Sequence, residues 1–152
     1  MRETDFLDVG NAASERAHAY SAADSEPTGV VTGRPEGDYF QTSDDQDGRR
    51  HRRGEITFEA AVDPQNSGIR LRRRLDQAGL PQTVEVHVDG AYAGNWRHAC
   101  QNEYLRWYDS DFDLPAKLTR GKGLLALRLV VIEGPDSGAF TDFNYRVFCF
   151  EK

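Results

Sequence analysis

Glu85, His87, Tyr92 and Trp96 fall in one short segment, Val84-Glu85-Val86-His87-Val88-Asp89-Gly90-Ala91-Tyr92-Ala93-Gly94-Asn95-Trp96. A carboxylate, an imidazole and two aromatic rings on one surface would exchange hydrogen bonds with hydroxyl groups and offer π-faces to C–H groups. A second concentration is Asn102-Glu103-Tyr104-Leu105-Arg106-Trp107-Tyr108-Asp109-Ser110-Asp111. There Asn102, Tyr104, Arg106, Trp107 and Asp109 supply an amide, aromatic rings, a carboxylate and a five-donor guanidinium fork, which pairs with carboxylates or with adjacent hydroxyls. If that stretch is extended, Tyr104, Arg106 and Tyr108 point one way and Leu105, Trp107 and Asp109 the other. A structural reading stands beside each functional one. Trp96 would anchor the segment that follows it. Arg106 would pair internally with Glu103, Asp109 or Asp111, and Trp107 would join the core.

The elements that position these residues read as strands. Asp89-Gly90 between two alternating runs is a two-residue hairpin signal. The turn predicts Val88 opposite Ala91, His87 opposite Tyr92 and Val86 opposite Ala93. One face is then Val84, Val86, Val88, Ala91 and Ala93, and the other is Glu85, His87, Tyr92 and Trp96. Period-2 runs recur through the chain. Ile56, Phe58, Ala60 and Val62 share a face, as do Ile69, Leu71 and Leu75, then Leu125, Leu127, Leu129 and Val131, and finally Phe143, Tyr145, Val147 and Cys149. Phe148 and Phe150 make the last run apolar on both sides, the pattern of a central strand. No segment sustains a helical period, although Leu114-Pro115-Ala116-Lys117-Leu118 fits a single turn with Pro115 at its start. The expected fold is all-β, an antiparallel jelly-roll-like β-sandwich of about eight to ten strands. It is expected to occupy residues 1–152 as one domain, with long loops around 21–54 and a short strand near Tyr39-Phe40. The charged run Asp44 to Arg53 reads as a solvated loop that neutralises itself.

Other residue patterns carry weaker chemistry. Arg70, Arg72, Arg74 and Asp76 share a strand face, and three arginines in a row repel unless acids lie opposite. A structural arginine–carboxylate ladder is expected, with Glu85 as a partner, and anionic-ligand binding is the alternative. Arg73 falls on the apolar line and is expected near an edge or paired, since an unpaired buried cation is costly. Asp8, Asn11, Ser14, Glu15 and His18 form an oxygen-rich opening. Turn and cap hydrogen bonding explains it, and a structural calcium ion is the alternative. No cofactor is otherwise implied. His18, His51, His87 and His98 lack ligand spacing, and no Gly-x-Ser-x-Gly, His-Glu-x-x-His or phosphate-cradling glycine loop occurs. Carboxylates are abundant, but which two would face each other as a glycosidase pair is not encoded in their spacing. Cys149 lies on an inward line and reads as a buried free thiol, with a bridge to Cys100 as the alternative.

The 152 residues carry a formal charge of −6, with 38% apolar and 29% charged residues. That balance argues against a nucleic-acid or anionic-membrane surface. No run of about 18 apolar residues is present to span a membrane. The N-terminal sequence has no apolar stretch of the kind that directs secretion, which favours the cytoplasm unless the sequence is part of a longer secreted protein.

Two stretches resemble known material. Asp5-Phe6-Leu7-Asp8-Val9-Gly10-Asn11-Ala12-Ala13-Ser14-Glu15-Arg16-Ala17-His18-Ala19-Tyr20 resembles the opening of β-sandwich modules attached to bacterial glycoside hydrolases, the β-L-arabinofuranosidase class among them. The span from Asn66 through Asp76, Val88-Asp89-Gly90, Gly94-Asn95-Trp96, Arg106 to Ser110 and Leu118 to Lys122 is similar to a jelly-roll domain. That domain belongs to bacterial proteins related to difructose-dianhydride synthase and α-fructofuranosidase. Those enzymes are longer, have two jelly rolls per subunit and form oligomers, whereas this chain has room for one, so no catalytic carboxylate is carried over. The resemblance implies a carbohydrate-associated module, non-catalytic, that binds sugar or supports a hydrolase domain or subunit. Its ligand residues would be Glu85, His87, Tyr92, Trp96, Asn102, Tyr104, Arg106, Trp107 and Asp109. The alternatives are a small jelly-roll glycoside hydrolase acting as a homo-oligomer and a structural assembly domain.

Overall fold

The computed structural model describes residues 1–30, 45–99, 101–103 and 106–151. Their elements in chain order are β1 (Arg2–Asp8), α1 (Ala12–Ala17), β2 (Ser21–Ala22), β3 (Ser25–Val30), β4 (Asp45–His51), β5 (Glu55–Ala61), β6 (Gly68–Asp76) and β7 (Gln82–Val88). Then come β8 (Ala91–His98), β9 (Trp107–Pro115), α2 (Ala116–Thr119), β10 (Leu124–Val131), β11 (Phe140–Asp142) and β12 (Asn144–Cys149). A four-stranded sheet, β1-β12-β6-β9, and a five-stranded sheet, β2-β5-β10-β7-β8, form the two layers of a jelly-roll sandwich, and a three-stranded sheet, β11-β4-β3, accompanies them. All pairings are antiparallel.

The alternating runs turn their apolar sides into the sandwich. Ile56, Phe58 and Ala60 of β5 pair with Leu129, Leu127 and Leu125 of β10, and all six are buried. Apolar pairs of this kind contribute about 0.2–1 kcal/mol each beyond an alanine pair. β12 lies between β1 and β6 as a central strand, with Tyr145, Val147 and Cys149 inward. Cys149 is a buried free thiol that receives the Asp63 amide N–H at 3.3 Å; Cys100 lies outside the described residues. Pro115 caps α2, which is the single turn its sequence predicts.

The structure corrects the loop reading of 21–54. Residues 21–22, 25–30 and 45–51 are strands, while Tyr39-Phe40 lies outside the described residues. The charged run forms β4 because its inward requirements are met without aliphatic side chains. Gly48 packs where any added Cβ would lie 2.3 Å from Phe143 Cε1, and His51 is buried against a carboxylate on β11.

The hairpin turn is formed as predicted, with Asp89 and Gly90 both at positive φ (48° and 85°), the geometry of a type I′ turn. Val88 faces Ala91 and His87 faces Tyr92. The next pair departs from prediction: Val86 faces Gly94, not Ala93, because a bulge inserts one residue into β8. Gly94 takes φ +136°, and a Cβ there would approach Phe112 Cζ to 3.3 Å. A one-residue shift exchanges faces for every residue beyond it. Trp96 therefore sits opposite Val84 on the dry face, 2% exposed, with its Nε1–H donating to Ser110 Oγ at 2.9 Å.

On the outer side of the four-stranded sheet, Arg70, Arg72 and Arg74 of β6 each make a two-pronged pair with Asp113, Asp111 and Asp109 of β9, with Nε–Oδ1 distances of 2.8, 2.7 and 2.9 Å. The ladder exists, but its acids are not Glu85. β6 hydrogen-bonds to β12 and β9, while β7 and Glu85 lie in the other sheet. The guanidiniums also lie over Phe150, Phe148 and Trp107. Pairs this open are screened by salt and worth no more than about 1 kcal/mol at the Arg72–Asp111 rung. We expect urea unfolding of the Asp109→Asn, Asp111→Asn, Asp113→Asn triple variant to show a markedly smaller loss of stability between low and high salt than wild type. Equal salt dependence of the two proteins would refute an electrostatic role for the ladder.

Arg73 overturns its predicted placement. It is fully buried on an interior strand, with Nη1 donating to Gln82 Oε1 at 2.8 Å and to the Thr141 carbonyl at 2.6 Å. Its guanidinium stacks 3.8 Å from the Phe140 ring centroid and lies 5.6 Å from that of Trp96. Nε and Nη2 have no hydrogen-bond partner among the described residues. Burial pulls its pKa down to about 10, so it remains a cation at neutral pH, held by two carbonyl-type oxygens and two ring faces.

Candidate functional site

The chemistry-bearing residues separate into four places. Glu85, His87 and Tyr92 stay together on the outer side of the five-stranded sheet. Glu85 Oε2 lies 3.2 Å from His87 Nε2, the His87 and Tyr92 rings meet edge-on at 5.6 Å, and the Tyr92 hydroxyl donates to Asn95 Oδ1 at 2.8 Å. Tyr92 is 59% exposed. Trp96 is not on this face, so the predicted two-ring platform is not assembled. The bulge at Ala93-Gly94 is what separates the rings. An isolated glycine inside an alternating run is the sequence signal for such a bulge.

The opening segment is tied by hydrogen bonds among its own residues and their neighbours. Asn11 caps α1 by accepting the Ser14 amide at 3.0 Å, Ser14 Oγ accepts the Asp8 amide, and Glu15 accepts both the Gly10 amide and a two-pronged pair from Arg49. Burial raises the Glu15 pKa, but the Arg49 and Gly10 hydrogen bonds outweigh it and hold the carboxyl below its ordinary value. His18 bridges the Ser14 carbonyl and Asp5. Burial lowers its pKa, yet the Asp5 hydrogen bond, the Ser14 carbonyl and the Asp5 charge leave it raised. These contacts fit the turn and cap reading of the segment.

A polar cluster that the spacing does not reveal lies where β4, β11 and β12 meet. Asp142, wholly buried, accepts the Tyr20 hydroxyl at 2.9 Å and the Tyr145 hydroxyl at 2.7 Å, and its Oδ1 lies 2.7 Å from His51 Nε2. Desolvation first, then the Asp142 charge, pushes both phenols well above their ordinary pKa. The cluster locks β4 and β11 together, and its burial gives a ligand little access.

The fourth place is an open groove. Arg50 of β4 and Arg52 just after it, Asp76 at the end of β6 with Ala78 and Gly79 beyond, Gln82, Arg106, and Ala139 and Thr141 around β11 line an open space of about 370 Å³. A second depression, lined by Ala78, Gln101, Asn102 and Glu103, meets it at Ala78. The two lie on either side of Ala78 and together are the trough of this margin. Its floor is rigid. Gln82 Oε1 accepts from Arg73 and from the Thr141 amide at 2.9 Å, and Gln82 Nε2 donates to the Asp76 carbonyl at 2.7 Å. Arg106 grips both oxygens of Asp76, with Nε–Oδ1 at 3.1 Å, and the pairing raises the Arg106 pKa. Tyr108, 44% exposed, stacks 4.5 Å from His98, whose Nε2 lies 2.9 Å from Gln77 Oε1.

Of the predicted ligand residues, Asn102 and Arg106 line this trough. Trp107 begins β9 nearby, edge-on to Phe143 at 4.7 Å. Asp109 is a rung of the ladder, and Tyr104 lies outside the described residues. Arg50, Arg52, Asp76, Gln82 and Thr141 were not among the residues predicted to bind ligand. The strand that carries Arg50 lacks aliphatic residues, which conceals it in the sequence.

No protein-family model matches this chain, and no curated protein matches it. Solved structures do. The chain is similar to CBM35 from Paenibacillus barcinonensis (TM-score 0.65, 11% identity, covering 96% of this chain and 99% of that one). It is similar to a family 35 carbohydrate binding module from Clostridium thermocellum (TM-score 0.60, 13% identity, 96% and 99%). It also matches the carbohydrate-binding module CBM36 in complex with calcium and xylotriose (TM-score 0.54, 10% identity, 94% and 98%). The fold is therefore the jelly-roll sandwich of these modules.

Proposed function

We propose that the chain is a carbohydrate-binding module, non-catalytic, that takes its ligand in the trough around Ala78. The observation that carries this reading is the composition of that trough on this fold. The forked donor of Arg50 and the amides of Gln101 and Asn102 can reach hydroxyl groups, the carboxylate of Glu103 accepts from them, and Tyr108, exposed near the start of β9, offers a ring. Binding is favoured over hydrolysis because both oxygens of Asp76 are engaged by Arg106, which leaves this carboxylate as a fixed support for the wall. The likeness to carbohydrate-binding modules supports the reading. The resemblance of the opening segment and of Asn66–Lys122 to domains of furanoside-acting enzymes makes arabinofuranosides and fructofuranosides the first ligands to try, with a hydrolase domain or subunit, or a further copy of this chain, as the partner. Glu85, His87 and Tyr92 form a secondary surface in this proposal.

Calorimetric titration against a glycan panel tests it. At least one glycan binds, Asn102→Ala and Tyr108→Ala each weaken it about tenfold, and Tyr92→Ala leaves it within twofold. Absence of binding across the panel, or loss confined to Tyr92→Ala, would overturn the assignment to the trough.

A further inference from the structure

The arginines of β4 and the turn after it are neutralised with one exception. Arg49 pairs with Glu15, Arg52 with Glu26 and Arg53 with Asp24. The Arg50 side chain makes no ion pair or hydrogen bond among the described residues, although it is partly buried and lines the trough. Its cross-strand neighbours offer it no acid. Glu26, opposite on β3, is taken by Arg52, and the residue opposite on β11 is Thr141. Leaving a partly desolvated guanidinium without an anion is unfavourable, and a surface arginine normally escapes that cost by swinging into water. Arg50 stays against the groove wall.

The surroundings sharpen the requirement. In the groove around Arg50 three guanidiniums meet one carboxylate, Asp76, which is held by Arg106, while Glu103 lies in the adjoining depression. The Arg73 cation lies directly beneath, bonded to Gln82 and Thr141 of the trough floor. In a chain of net charge −6, this is a local positive field with one unsatisfied fork at its mouth. Guanidinium forks match compact oxyanions with two oxygens side by side.

Resting on the carbohydrate reading above, we infer that Arg50 is the docking point for an anionic substituent of the bound glycan, a carboxylate or a sulfate ester. A neutral glycan would leave the fork unmatched. The anion supplies the counterion that β4 withholds from Arg50 alone, so the trough selects acidic sugars over their neutral counterparts. Rejection of the uncharged analogue follows from the group left unpaired.

The test uses the full chain and three probes of one ring type: glucose, glucuronic acid and glucose 6-sulfate. Titration is followed by amide and arginine Nε resonances. Wild type binds at least one charged probe tenfold or more tighter than glucose, the preference shrinks with added salt, and the Arg50 Nε resonance moves. Whichever charged probe binds tighter identifies the substituent. Arg50→Gln, which removes the charge and keeps an amide, brings the charged probe to within about twofold of glucose. Arg97→Gln, an exposed arginine on β8, leaves the preference intact and controls for net charge. A preference that survives Arg50→Gln, or none in wild type, overturns the inference. If neutral panel glycans still bind through Asn102 and Tyr108 in that case, the carbohydrate reading stands by itself. Inorganic sulfate binding at Arg50 with no sugar binding would retain an anion site, overturn its assignment to glycans and remove the carbohydrate reading.

Discussion

Replacing Asp142 by alanine lowers the free energy of unfolding by about 3–5 kcal/mol, as measured by urea denaturation. Asp142 is the common acceptor for Tyr20, Tyr145 and His51. Its loss strands two phenolic hydroxyls and an imidazole nitrogen, Tyr145 and His51 being wholly inside the protein. The isosteric Asp142→Asn keeps one carbonyl oxygen for the hydroxyls and costs less, about 1–3 kcal/mol. Because a domain of this size holds only about 5–15 kcal/mol in reserve, the alanine variant lies close to the limit of folding. The same cluster sets an alkaline limit in wild type. Burial and the Asp142 charge raise both phenol pKa values in the folded state. Their contribution is therefore fully present below the ordinary tyrosine pKa of about 10 and is lost as pH climbs above it, when the unfolded chain ionises first. Ultraviolet titration should show Tyr20 and Tyr145 ionising only as the chain unfolds. Ionisation of all tyrosines in a still-folded protein would contradict the burial of this cluster.

Trp96→Ala should cost about 3–5 kcal/mol, whereas Tyr92→Ala, on the same hairpin, should fall within about 0.5 kcal/mol of wild type. The contrast follows from the bulge. Trp96 is enclosed by Phe112 at 5.7 Å, by the Arg73 guanidinium and by Ser110, while Tyr92 stands at the open end of the hairpin. Truncating Trp96 also removes one of the two rings that face the Arg73 cation, so the loss includes an electrostatic part that Trp96→Phe restores in part. Equal, small effects of the two alanine substitutions would mean that Trp96 lies on the outer face after all.

The sandwich is legible in the chain because its strands alternate plainly. Ile56, Phe58 and Ala60, or Leu125, Leu127 and Leu129, announce their inward side without reference to anything distant. Asp89-Gly90 announces its turn in the same local way. The site is less legible because it depends on partners far apart in sequence. His51 meets Asp142 across 91 positions, and Arg73 meets Thr141 across 68. β4 has no aliphatic line to reveal it, since its buried positions are Gly48 and His51. The placement of Trp96 turns on a single inserted residue, marked only by Gly94. Asn102 and Arg106 were readable by type, but Arg50 becomes distinctive only once Glu15, Glu26 and Asp24 are seen to serve its neighbours.

The aspartates of β9 have one more effect. β9 is the outermost strand of its sheet, and an outermost strand exposes a row of backbone groups ready to zip onto another chain. Asp109, Asp111 and Asp113, each held in an ion pair, line that margin, and charged side chains of this kind blunt an edge against pairing with another copy. Asp113 in particular resists protonation as the pH falls, because its hydrogen bond to Arg70 holds its pKa down.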